Sequence, residues 1–269
     1  MPFSPIGERH AIEEVVFVLA FSRNFSGSEI DRVVERHDLW RLDLPKLMRP
    51  QVFQFSFLPE SGEEAAPPPP VAPVAFQSFK RDGSIDWQLK IEGNSVSVNC
   101  LSYSRWNVVS RQAKNLLEKL LGLVLDQDNK MQSVTLQYID TFVWSGDESE
   151  YDVEALFNRN SGFFPDKFRP SGKLWHFHQG EFAGCEGSNL PQRILQRIHL
   201  DAVVLEGRPI VRVDTTLRAE FSGGVEGSIE AVRSTTHQTL ELLHSKNKEL
   251  LSLVITDDLQ QRISLNRES

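Results

Sequence analysis

The chain has 269 residues, 40% of them hydrophobic and 25% charged, fractions that let a globular protein bury a core. Its 29 Lys and Arg against 37 Asp and Glu leave a formal net charge of −8, which argues against broad binding to a phosphate backbone. No stretch approaches the roughly 18 consecutive apolar residues of a membrane-spanning helix.

The apolar run Val15 to Phe21 is short and follows Glu13 and Glu14 with no basic lead-in, so it reads as a buried strand rather than a signal peptide. Two isolated cysteines, Cys100 and Cys185, read as reduced thiols, and a cytoplasmic location is the expectation.

In chain order, Ile12–Phe21 is rich in β-branched and aromatic residues and predicts a strand. Ser28 reads as a helix N-cap, with Asp31 three residues on and Ile30, Val33, Val34 and His37 at helical spacing. Val52–Leu58 predicts a second strand. Residues 59–74 are rich in Pro and poor in large apolar side chains, and predict a mobile loop. Strands are expected at Val74–Lys80, Ser84–Ile91 and Ser95–Leu101, separated by the turn dipeptides Asp82-Gly83 and Gly93-Asn94. Val108–Leu125 carries the apolar stripe Val109, Ala113, Leu116, Leu117, Leu120, Leu121 and Val124 of an amphipathic helix. A long strand, Ser133–Trp144, follows.

In the second half a short helix is expected near Asp152–Phe157, then strands at Leu174–Phe182, Arg193–Leu205 and Pro209–Phe221, the last two joined through Glu206-Gly207-Arg208. Gly223, Gly224 and Gly227 are read as breaking the sheet. Ser228 caps a long helix with Ile229, Val232, Thr236, Leu240, Leu243, Leu250 and Val254 near one side, and Thr256-Asp257-Asp258 opens a short terminal helix. Strands in series closed by helices predict an α+β fold with antiparallel sheets. The repeated order suggests two similar lobes, residues 1–145 and 146–269, each an antiparallel sheet packed against a long helix.

No catalytic signature stands out. GxxxxGK[ST], GxGxxG at a helix start, GxSxG, HExxH and CxxC are all absent. His176 and His178 share one strand face, since side chains alternate with period two, and His199 and Asp201 have the same spacing on the next strand. With the right register these four would supply ligands suited to Zn or Mn, the basis for a metal-dependent hydrolase or nuclease as an alternative. Arg212, Asp214, Arg218 and Glu220 share a face with mixed signs, and Arg197 sits on the hairpin partner, a pattern that suits a protein partner better than a polyanion. Asp140 lies at the parity of Val134, Leu136, Tyr138, Phe142 and Trp144, where a carboxylate must be paired or its pKa rises. A structural polar role is expected for it, through backbone amides or an arginine. His237 and His244, seven apart on the last long helix, read as core-edge histidines.

Four short segments, Ala11–Phe17, Tyr103-Ser-Arg-Trp106, Leu136-Gln-Tyr-Ile-Asp140 and Leu243-His-Ser-Lys-Asn-Lys248 with Ile255-Thr-Asp257, resemble a sporadically distributed prokaryotic family of proteins of about this length and of unknown function. Gln137 and Asp140 stand where that family often has Arg and Asn. The resemblance carries no catalytic residue to transfer. Its patchy distribution implies an accessory gene, of defence or toxin–antitoxin type. The expected function is therefore a non-enzymatic protein-binding component that neutralises or regulates a partner, possible partners including a basic toxin or effector. No cofactor is expected, and a nucleic-acid sensor is a further alternative.

Overall fold

The computed structural model describes residues 2–7, 9–49, 71–125, 128–184, 191–225 and 228–265. The strand expected at Val52–Leu58, most of the Pro-rich segment, Cys185 and Gly227 lie outside them.

The fold is mixed α and β around a large antiparallel sheet. Its strands are β1 (Phe3–Pro5), β2 (Ile12–Phe21), β3 (Lys46–Met48), β4 (Val74–Phe79), β5 (Ile85–Glu92), β6 (Ser95–Cys100), β7 (Met131–Trp144), β8 (Trp175–Gly184), β9 (Arg193–Leu205) and β10 (Arg208–Val225). They run in the order β3-β4-β5-β6-β2-β7-β10-β9-β8, with β1 extending the β2 side of β7. Two lobes with a long helix on each are not confirmed. Instead β7 pairs with β2 and β1 along one edge and with β10 along the other, so the strands form one continuous sheet. Element order shows which segments are strands, but not which of them pair at long range.

The helices are α1 (Gly27–Glu35), α2 (Trp106–Val124), α3 (Ile229–Val254) and α4 (Asp257–Arg262). Only α3, at 26 residues, is long. The seven stripe residues expected on α2 are all buried, joined by Trp106 and Ser110 at its first turn. The short helix expected near Asp152–Phe157 is a 3-10 turn, Val153–Leu156. The glycines do not end β10 at Phe221. It continues to Val225 through an irregular pairing, with Gly223 and Gly224 at φ 73° and 82°. At the β9–β10 hairpin Glu206 and Gly207 both have positive φ, 51° and 79°, as a two-residue turn matched to strand twist requires. No helix among the described residues is long and apolar enough to cross a membrane.

The N-cap of α1 is Ser26 rather than Ser28. Ser26 forms a capping box with Glu29, whose carboxylate accepts from the Ser26 amide at 2.7 Å and from both terminal nitrogens of Arg23 at 3.0 and 3.1 Å. Asp31, three residues on from Ser28, pairs instead with Arg49 at 3.2 Å. The box satisfies two amides left open at a helix start, and the guanidinium locks the carboxylate in place.

Two clusters fill the helix side of the sheet. One gathers β2, β5, β6, α2 and the first half of α3 around Phe17, Trp106 and Tyr138. The other gathers the end of β7, β9, β10 and the chain from Val153 to Phe164 around Phe142, Leu251 and Val254. Both draw on residues from before and after residue 145. Fully burying one such side chain stabilises by roughly 1.5–3 kcal/mol, so each cluster ties the chain's halves together.

Arg23, the largest influence, and the Ser26 donors lower the Glu29 carboxyl to about 2 against an offsetting burial effect. A carboxyl held below its unfolded value contributes stability that is present above about pH 4.5 and is lost as pH falls toward about 2. Urea unfolding should show Glu29→Gln to be about 1.5–3 kcal/mol less stable than wild type at pH 7, the range for hydrogen bonds to a charged group, with the gap closing below pH 4.5. A gap that stays constant down to pH 3 would show that the charge contributes nothing.

Candidate functional site

Alternation gives the sheet two faces, and the described helices pack on one of them. On the other, the strand register aligns side chains in rows. His176 stands opposite Asp201, which stands opposite Arg212. His178, His199 and Asp214 form the next row, and Thr216 stands between Arg197 and Gln137 in the third. Arg218 and Glu220 continue the field along β10. The histidine and Asp201 set and the Arg, Asp and Glu set, separate in the sequence, thus occupy neighbouring rows of one surface.

The contacts on this face are mutual. The Arg193 guanidinium meets Glu220 at 2.5 Å, and Arg218 meets the same carboxylate at 2.5 Å. Arg197 donates to Thr216 at 2.8 Å, and Gln137 donates to Asp214 at 2.9 Å. Arg212 reaches Glu13 at 3.4 Å. Two Arg partners hold the Glu220 carboxyl below the usual carboxylate range, Arg193 first. The three imidazoles converge loosely, with ring centroids 5.7 Å apart for His178 and His199 and 6.3 Å apart for His176 and His199. Among the described residues no group of three or more His, Cys, Asp or Glu is arranged to hold a metal ion.

Asp140 belongs to the other face. It is 1% exposed, and its Oδ2 is buried with no hydrogen-bond partner. No backbone amide and no arginine meets it among the described residues. Gln137, one parity away, faces the opposite side, so the two positions where the resembled family differs do not touch. Opposite Asp140, β2 begins with a bulge, as the pairing steps from Ile12↔Asp140 to Glu14↔Ile139. The extra residue puts both Glu13 and Glu14 on the polar face, where they meet Thr141 at 2.7 Å and Asn99 at 2.7 Å. It also marks where β2 gives way to β1 as the neighbour of β7, with the Thr141 amide bonded to Ala11 and its carbonyl to Ile6 between them.

A cavity of about 520 Å³ opens there, between the two core clusters. Its floor is Asp140 and Tyr138. Tyr138 hydroxyl is hydrogen-bonded to His244 Nδ1 at 2.8 Å. The His244 ring stacks on Trp106 with centroids 4.0 Å apart and planes 8° apart, and Trp106 stacks in turn on Phe17. The Trp106 indole donates to Glu241 at 2.8 Å, and Glu241 is held by Lys114. Asn247, bonded to Thr215 of β10, fixes the next turn of α3 against the sheet. His10 and Tyr103 pack edge to face on the remaining wall. Arg9, Arg105, Lys248 and Arg262 also line the cavity; three are exposed and Lys248 is half-buried, so they form its mouth.

The electrostatics of this cavity follow from burial. Desolvation, with nothing to offset it, pushes the Asp140 carboxyl up to about 7. Burial, with Lys248 adding to it, lowers His244 to about 4, so its imidazole is neutral at pH 7. Burial first, then the neighbouring Asp140, raises the Tyr103 phenol, and burial raises Tyr138 well above the usual range. The floor is therefore a carboxyl poised between its two forms among neutral hydroxyls.

Sequence reasoning singled out Asp140 by its parity and read His244 only as a core-edge residue. It had no means of placing Arg9, His10, Lys248 and Arg262 beside Asp140, because they arrive from loops and helices through tertiary packing. One signal was available: Ala11, Tyr103 to Trp106, Tyr138, Asp140, His244 and Lys248 all belong to the segments that carried the family resemblance, and all line this cavity. No protein-family model matches the chain, and no curated protein matches it.

An unfolded Asp releases its proton near pH 3.8, whereas folded Asp140 keeps it to about 7, so wild-type stability falls as pH rises between these values. At 1.36 kcal/mol per unit, Asp140→Asn should be more stable than wild type at pH 8 by up to about 4 kcal/mol. The gain should grow from pH 4 to 7 and then stay level in urea titrations. An Asn variant less stable at every pH would mean that a donor meets the carboxylate.

Proposed function

We propose that this chain is a non-enzymatic binding component that engages a basic protein partner through the polar face of its sheet, in the cytoplasm of a bacterium and as part of an accessory system of defence or toxin–antitoxin type. The observation that carries the reading is the convergence of Arg197, Arg212, Asp214, Arg218 and Glu220 with the histidine rows on one continuous surface. Mixed charge in fixed rows suits recognition of a protein, because complementary signs set the register and like signs exclude wrong partners. The net charge of −8 would draw a basic partner at long range. The accessory-system setting rests on the family resemblance alone.

The test is capture of a partner from the native host followed by reconstitution from the two purified proteins. A stoichiometric complex at near-physiological salt is expected, with affinity lost at least about tenfold, or 1.4 kcal/mol, in Arg218→Glu combined with Asp214→Arg. Glu249→Lys, on an exposed turn of α3, should leave affinity unchanged. A complex indifferent to the face variants, or none with any neighbouring gene product, would overturn the reading.

A further inference from the structure

We propose that the cavity at Asp140 is a binding site for a nucleoside monophosphate, held by its phosphate at the cationic mouth and by N–H donors of its base at the Asp140 carboxylate. The site is two-ended. At the mouth stand Arg9, Arg105, Lys248 and Arg262, and among the described residues none of them is in an ion pair. In a chain with eight more acidic than basic residues, four such cations around one opening concentrate positive potential where an anion would enter. The 19-residue helix α2 starts at the same opening. Its N-cap, Arg105, gives no side-chain hydrogen bond, and its first turn holds no acidic residue. The positive end of the helix is therefore uncompensated and adds to the cations.

The other end asks for the opposite chemistry. Asp140 Oδ2 is a buried acceptor with no donor, and such an atom costs the fold unless something supplies one. A ligand that carries an anion at one end and paired N–H donors at the other satisfies both ends at once. The edge of a nucleobase that bears an amino group is such a donor set, and carboxylates accept from base amino groups. Size favours a nucleotide over a free amino acid, which has the same polarity but would leave most of 520 Å³ to water. This proposal is independent of the partner face, which lies on the other side of the sheet.

Calorimetric titration with guanosine, adenosine, cytidine and uridine monophosphates, with guanosine and inorganic phosphate as one-ended controls, tests it. Guanosine monophosphate, whose base sets two N–H groups side by side, should bind best and at least about tenfold more tightly than either control. Arg105→Gln with Lys248→Gln should weaken it about tenfold, as should Asp140→Asn, while Asp140→Asn leaves inorganic phosphate unaffected. Urea midpoints show whether the variants are folded. Affinity should also rise more steeply from pH 6.5 to 8 in wild type than in Asp140→Asn, where only the second ionisation of the ligand's phosphate, at about pH 6, contributes. The other titratable groups facing the carboxyl do not produce this difference: His10 and His244 are lowered, Tyr103 and Tyr138 are raised, and Glu241 lies beyond the Trp106 indole. If no monophosphate binds more than about tenfold more tightly than inorganic phosphate, or if Asp140→Asn binds guanosine monophosphate as wild type does, the proposal fails.

Discussion

The structure depends on the pairing of β7 along both of its edges. This 14-residue strand takes β2 and then β1 on one side and β10 on the other, so it joins the segments before and after it in one sheet. Its alternation then divides the molecule. Even-numbered residues, from Val134 through Tyr138 and Phe142, enter the helix-side core, and odd-numbered ones such as Thr135 and Gln137 face the polar surface. Asp140 is a charged group on the wrong side of that division.

Two surfaces of different kinds result. The polar face pairs its charges internally: Arg193 reaches Glu220 and Arg197 reaches Thr216 on the neighbouring strand, Arg212 reaches Glu13 across β7, and Arg218 meets Glu220 of its own strand. Such a surface is costly to desolvate unless a partner replaces those contacts in register, which favours an extended, shape-matched protein. The cavity is not self-compensated. Among the described residues its floor lacks a donor and its mouth lacks an anion. The Phe17–Trp106–His244 stack lines its wall, with His244 held by Tyr138 and the central Trp106 by Glu241, which Lys114 meets.

Much of the secondary structure was legible because its signals are local. Enrichment in β-branched and aromatic residues marked β2, period-two alternation marked β5 and the faces of β9 and β10, and the 3.6-residue stripe marked α2 and α3. The cap of α1 was misplaced by two residues because Ser26 and Ser28 both fit, and only the reciprocal bonds of Glu29, reinforced by Arg23, decide between them. Which strands pair was not legible, and so one sheet was read as two. The same limit applied to the histidines. The shared face of His176 and His178 follows from spacing, but their alignment with His199 and Asp201 needs the β8–β9 register. Asp140 was the one site residue that announced itself, because a carboxylate in an apolar parity is a local anomaly. The cations around it carry no local sign of their destination.

Among the described residues the Asp140 carboxyl is buried without a partner at the floor of the cavity. Carbon-13 NMR of aspartate labelled at the carboxyl carbon, with Asp140→Asn to assign the resonance, measures this. A titration midpoint raised to about 7 by burial is the expected result. A midpoint in the ordinary carboxylate range would mean that a donor or cation already occupies the position left for a ligand, and both the cavity and its proposed occupant would have to be abandoned.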